Sequence, residues 1–135
     1  MPPLSLPRIA LIAALGLAGL AAATSAAQSA PLAGAWRGSG LMQADDGRRE
    51  RVLCRAFYER SGQDQYRVSM KCVSRNKISR ARIFTVKKTG KAMFSGGFHD
   101  QEAKLDIRIA IRLKGARQVV DIMSRRGRGR VELTR

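Results

Sequence analysis

Histidine, cysteine and acidic residues are scarce in this chain: 135 residues hold one His, two Cys and ten Asp plus Glu, against 26 Lys plus Arg. A lone histidine, His99, excludes sites built on several imidazoles, and the scattered carboxylates offer no acid–base pair. His99 with Cys54 and Cys72 gives at most three zinc ligands of that kind, short of a closed structural site. His99-Asp100-Gln101-Glu102 has the residue types of a metal loop, but a polar connection between strands explains it as well. Asp45-Asp46 is answered by Arg48 and Arg49 and reads as a solvated turn. No Ser-His-Asp set, phosphate loop or glycosidase-like carboxylate pair can be drawn. The expectation is a protein that is not an enzyme and uses neither metal nor cofactor.

Long apolar runs are missing too, with one exception. Ile9 to Ala23 is fifteen residues of Ala, Leu, Ile and Gly behind a short start whose one charged side chain is Arg8. The run is too short for a comfortable membrane span, and Ser25 and Ala27 follow at the −3 and −1 positions of a cleavage site before Gln28. Residues 1–27 therefore read as a cleaved secretory signal peptide, with an uncleaved anchor as the alternative. No cysteine lies near the cut and no Arg pair precedes the run, which argues against a lipoprotein or a twin-arginine route. The predicted location is periplasmic or extracellular. Residues 28–33 then form a short linker and 34–135 a single domain.

What is abundant is positive charge. Removing residues 1–27 takes away only Arg8, so the net charge of +16 falls to +15. Such a charge repels itself and attracts polyanions from a distance. For an exported protein those anions are lipid head groups, acidic polysaccharide or an acidic protein, rather than nucleic acid. A charged surface serving solubility alone is the plainer reading.

After residue 30 no segment keeps a 3.6-residue apolar period. Short alternating runs separated by turn residues recur instead, which predicts an all-β domain. Strands are expected over 35–42, 50–59, 65–73, 78–86, 92–98, 104–114, 117–124 and 130–134. Leu105, Ile107, Ile109, Ile111 and Leu113 share one face of the sixth. The fourth fits less well, because Arg80 and Arg82 share a face with Phe84 and Val86, so a bulge or a rim position is expected there. About eight antiparallel strands in this length most economically close into a small up-and-down barrel, with a sandwich as runner-up.

Arg60 to Asp64 reads as a hairpin loop, with Gly62 available for positive φ. If Cys54 faces Cys72 across that hairpin, Ala56 faces Met70 and Tyr58 faces Val68, and all six share one sheet face. Cysteines at directly opposed positions lie within reach of a disulfide, and the pair is expected to be structural. Trp36, the sole tryptophan, sits in a Gly-x-Trp opening that suits a barrel-closing plug packed beneath a cationic side chain. Arg125-Arg126-Gly127-Arg128-Gly129-Arg130 places four arginines at a hairpin. With Arg48, Arg49 and Arg51 they are the candidate anion-binding residues, since guanidinium forks suit phosphate and carboxylate.

Gly34-x-Trp36-x-Gly38-x-Gly40, Asp46-Gly47-x-x-Glu50-Arg51-Val52-x-Cys54-Arg55-x-x-Tyr58, Lys71-Cys72 and Arg117-Gln118-x-Val120 together resemble a family of small exported alphaproteobacterial proteins. The resemblance spans most of the domain and implies export, a disulfide and a β-rich fold, but supplies no activity. The chain departs from the pattern at Gly96-Gly97-Phe98-His99-Asp100, where the family has Gly-x-Trp-x-Glu. The function expected is a non-catalytic envelope or periplasmic protein that binds an anionic partner through arginine-rich loops, with peripheral membrane contact as one form of it. The alternatives are a small-ligand carrier using the barrel interior, or an inhibitor of a protease or lysozyme.

Overall fold

Alternation governs the second strand over residues 51–59: Val52, Cys54, Ala56 and Tyr58 are buried, while Arg51, Leu53, Arg55, Phe57 and Glu59 are exposed. A computed structural model describes residues 31–75 and 81–135. The predicted signal peptide (1–27), residues 28–30 of the linker and residues 78–80 of the fourth predicted strand lie outside the described residues. Eight strands follow one another: β1 (Gly34–Ala44), β2 (Arg49–Gly62), β3 (Gln65–Ser74), β4 (Arg82–Gly90), β5 (Met93–Asp100), β6 (Leu105–Lys114), β7 (Arg117–Ser124) and β8 (Gly127–Thr134). Each pairs antiparallel with the next, and β8 pairs with β1, so the sheet closes into an up-and-down barrel instead of splitting into a sandwich. Closure gives every strand a neighbour on both sides, with β3 and β4 paired as far as Met70 and Arg82 among the described residues.

The inward residues form one apolar core, in which Val68, Val86, Val120, Val131 and Leu133 have no measurable exposure. The outward faces carry the charge. That is the reverse of a membrane-spanning barrel, whose outer band is apolar. Among the described residues no helix is long and apolar enough to cross a membrane.

The seam between β1 and β8 depends on two glycines. A Cβ on Gly38 would stand 1.8 Å from the Glu132 carbonyl oxygen, and one on Gly40 would stand 2.0 Å from that of Arg130. Both positions face inward, opposite Cys54 and Val52 on one side and Leu133 and Val131 on the other. Only a residue without Cβ allows β8 to bend this closely over β1, as barrel corners require.

The pairing of β2 with β3 has the expected register, with Cys54 opposite Cys72, Ala56 opposite Met70 and Tyr58 opposite Val68. Cys54 and Cys72 form the disulfide, their Cα atoms 4.1 Å apart. Several boundaries differ from expectation. The β2–β3 turn is tighter, and its positive φ (54°) belongs to Asp64, not to Gly62. Short polar Asp tolerates that conformation, so Gly62 stays in the strand beside a bulge. β8 begins at Gly127, three residues before the expected start, and pairs there with Ala44. In Gly-Arg-Gly-Arg the glycines face inward and the arginines outward, which is strand alternation and leaves only Arg125-Arg126 for the turn. Arg82 occupies a rim position: its Nη2 donates to Asp100 Oδ2 at 2.9 Å across the mouth of the barrel.

Candidate anion-binding face

The two ends of the barrel differ. At one end Trp36 is 2% exposed, and its Nε1–H donates to the Leu32 carbonyl at 2.8 Å. The Arg135 guanidinium lies 4.5 Å above the indole and donates to the carbonyls of Ala33 (2.9 Å) and Pro31. Pro31–Ala33, placed by sequence in a linker, thus packs against the barrel end, with Leu32 fully buried. Just inside, the Tyr58 hydroxyl donates to Gln118 Oε1 at 2.7 Å. Burial pushes the Tyr58 hydroxyl well above its ordinary value of 10.0, which keeps it a neutral donor; the bond to Gln118 acts weakly against this. Gln118 Nε2 is buried with no hydrogen-bond partner among the described residues.

At the other end the inward apolar residues Met42, Phe98, Ile107 and Ile122 are only half-buried. Both arginine-rich turns stand here. The backbone N–H of Asp45, in the β1–β2 turn, donates to the Arg126 carbonyl of the β7–β8 turn at 2.9 Å. Between them lies a cleft of about 490 Å³ with Met42 and Ile122 on its apolar side and Arg48, Arg49, Arg126 and Arg128 around it. Glu50 is the one acidic residue in its lining.

The seven candidate arginines divide into those held locally and those left free. Arg48 is held by Asp46, whose carboxylate accepts from the Arg48 backbone N–H at 3.0 Å and from its Nε at 2.7 Å. The backbone hydrogen bond, followed by the guanidinium, keeps the Asp46 carboxyl below its ordinary 3.8, despite slight desolvation. Arg130 makes a fork to Asp121 at 2.7 and 3.4 Å, which raises its own pKa further. Arg125 donates to the Lys104 carbonyl at 3.3 Å. The side chains of Arg49, Arg51, Arg126 and Arg128 have no hydrogen-bond or ion-pair partner among the described residues.

These residues are not confined to loops. Arg49 and Arg128 flank Gln43 on neighbouring strands, and Arg51 and Arg130 flank Leu41, all facing outward. The cationic region therefore continues from the turns down the outer wall of β8, β1 and β2. Two rungs further down, Arg37, Arg55 and Lys71 stand side by side on β1, β2 and β3. Sequence reasoning assigned these three no role. The signal was present, because the register that joins Cys54 to Cys72 also sets Arg55 against Lys71.

His99 and Asp100 alternate to opposite faces of β5. His99 points outward with Nδ1 2.8 Å from Asp106 Oδ1, while Asp100 turns inward. Asp100 accepts backbone N–H bonds from Ala103 at 3.2 Å and Glu102 at 3.0 Å, besides the bond from Arg82. The Ala103 amide first, and then the Arg82 charge, hold its carboxyl below the ordinary 3.8.

No family model and no curated protein matches the chain. Among solved structures it is similar to a redesigned β-barrel, mFAP1, bound to DFHBI, with a TM-score of 0.65 and 8% identity over 79% of this chain and 97% of that one. A second redesigned barrel, mFAP0, also bound to DFHBI, gives 0.62 and 9% over 77% and 98%. A fluorescence-activating barrel designed de novo gives 0.60 and 9% over 79% and 95%. At these identities the likeness is one of fold.

Proposed function

We propose that this is a non-catalytic exported protein that binds an anionic partner at the arginine-rich end of its barrel. The observation that carries the reading is the meeting of two turns distant in sequence. The Asp45–Arg126 backbone bond holds them together, so that Arg49, Arg126 and Arg128 border one cleft. Guanidinium groups without an ion-pair partner among the described residues suit phosphate or carboxylate groups, each pair forming two charge-assisted hydrogen bonds. The high net charge adds long-range attraction, and export rests on the Ile9–Ala23 run with Ser25 and Ala27 behind it.

The test is retention on an immobilised acidic polysaccharide through a salt gradient. Wild-type protein is expected to elute at moderate salt, since such contacts are screened. Arg126→Glu/Arg128→Glu should elute markedly earlier than Lys87→Glu/Lys88→Glu, which makes the same charge change at the plugged end. Equal elution of the two variants would mean that net charge alone, not this site, causes retention.

A small-ligand carrier is the second reading, favoured by the half-buried Met42, Phe98, Ile107 and Ile122 at the open mouth. The mFAP1 barrel binds DFHBI within the same fold, and eight strands just enclose one small molecule. Native mass spectrometry of protein taken from its host would reveal an added mass; the bare mass in repeated preparations counts against a carrier.

A further inference from the structure

The rung formed by Arg37, Arg55 and Lys71 has no evident use in the fold. The three are exposed and directly opposed across β1, β2 and β3. None has a hydrogen-bond or ion-pair partner among the described residues. Like charges at opposed positions in a sheet are destabilising. The rungs on either side are apolar and wet. Leu53, 61% exposed, pairs with Val73 on one side; Phe57 and Ile83, 48% and 57% exposed, flank Ser69 on the other. Shallow clefts on the wall join the two characters, one holding Leu53 and Val73 with Arg55 and Lys71, the next holding Phe57 with the same two cations.

We propose that this wall of β1–β4 docks the barrel side-on to an anionic phospholipid bilayer, with Arg37, Arg55 and Lys71 on the phosphates and Leu53, Phe57 and Ile83 at the acyl boundary. Same-face residues follow one another at roughly 6–7 Å along a strand, so each apolar rung lies within one side-chain length of the cationic one. A bilayer interface offers phosphate and hydrocarbon together at that spacing, and surfaces that combine basic with aliphatic and aromatic side chains bind there. An acidic polysaccharide would engage the cations and leave Leu53, Phe57 and Ile83 in water. A second copy docking by a two-fold axis would set the cationic rung against itself. The wall adjoins the arginine cleft on β1 and β2 but uses none of its residues, so different variants test the two readings.

The experiment places a reporter on the wall of the full chain. Phe57→Trp is mixed with vesicles of phosphatidylcholine, with or without phosphatidylglycerol, whose acyl chains are brominated. The buried Trp36 supplies a constant background. The new indole is expected to shift to the blue and be quenched on the phosphatidylglycerol vesicles only. In that background Arg37→Gln/Arg55→Gln/Lys71→Gln should lower partitioning on the order of a hundredfold, at about fivefold per basic residue. Arg126→Glu/Arg128→Glu should leave the depth of quenching unchanged, which separates this proposal from the arginine cleft. Ile83→Trp repeats the reading from the neighbouring strand, so a folding failure at one position does not decide the matter. The proposal is overturned if both reporters stay unquenched while the chain sediments with vesicles, because another segment then makes the contact. It is equally overturned if the triple variant partitions like its parent, or if a soluble acidic polysaccharide, and not the vesicles, shields both reporters from aqueous quencher.

Discussion

Two residue pairs hold the plugged end, and each gives a measurable expectation. Tyr58 and Gln118 share one buried hydrogen bond, and the other amide group of Gln118 is unpaired among the described residues. Tyr58→Phe strands the Gln118 carbonyl, and Gln118→Met strands the Tyr58 hydroxyl; each should cost about 1–3 kcal/mol. The double variant removes both partners and should be close to wild type, so denaturant unfolding of the four proteins should give a coupling of similar size. Additive losses would mean that the pair does not act as a unit. Arg135 stacks on Trp36 while holding the Ala33 carbonyl. Arg135→Ala should cost about 1 kcal/mol and expose the indole, seen as a red shift in Trp emission. An unshifted spectrum would show that the plug holds without its cationic lid.

At the scale of elements, the β2–β3 hairpin and the β4–β5 rim are the informative joints. The disulfide closes a loop of 18 residues in sequence separation. Its removal by Cys54→Ala/Cys72→Ala should lower stability by about 3 kcal/mol through the freedom returned to the unfolded chain, measured by urea unfolding. A loss below about 1 kcal/mol would mean that the hairpin is already restricted without it. At the rim, Asp100 ties Arg82 of β4 to the turn after β5. Its carboxyl is depressed in the folded state, so the stabilisation is complete above the ordinary carboxylate range and is lost as pH falls through the lower folded value. Thermal unfolding of wild type should therefore fall more steeply below about pH 4 than that of Asp100→Asn. Parallel acid limbs would remove Asp100 from the balance.

For the whole molecule, charge is the dominant variable. Most of the cations face outward, and the ion pairs Arg48–Asp46, Arg82–Asp100 and Arg130–Asp121 neutralise few of them. Self-repulsion at this net charge should weaken the compact state. Raising ionic strength from about 10 mM to about 0.3 M should therefore raise Tm, because the screening length shrinks from about 30 Å to well under 10 Å. A falling Tm would show that local ion pairs outweigh the general repulsion. The same salt series should weaken anion binding, so stability and binding are expected to move in opposite directions.

Alternation and opposed cysteines are local properties, and they made much of the barrel legible in the sequence alone. The inward set of β6, the register of Cys54 on Cys72 and the number of strands follow from period-2 spacing, because one slip would turn every apolar side chain to water. Boundaries were less legible where a local signal had two readings. Arg-Gly-Arg-Gly resembled a loop until its pairing with β1 made the glycines the inward members of β8. Which arginines are held and which are free depended on carboxylates brought near by the fold or the turn, as Asp121 is to Arg130 and Asp46 is to Arg48. The shared cleft at the open end exists only once β8 closes on β1, and the cationic rung only once β1, β2 and β3 pair in register. The sequence by itself determined the alternating strands and the excess of positive charge, since both are carried by the order of side chains. Only the tertiary structure decided which charges stand together, because strand pairing sets distances between residues that the chain itself keeps far apart.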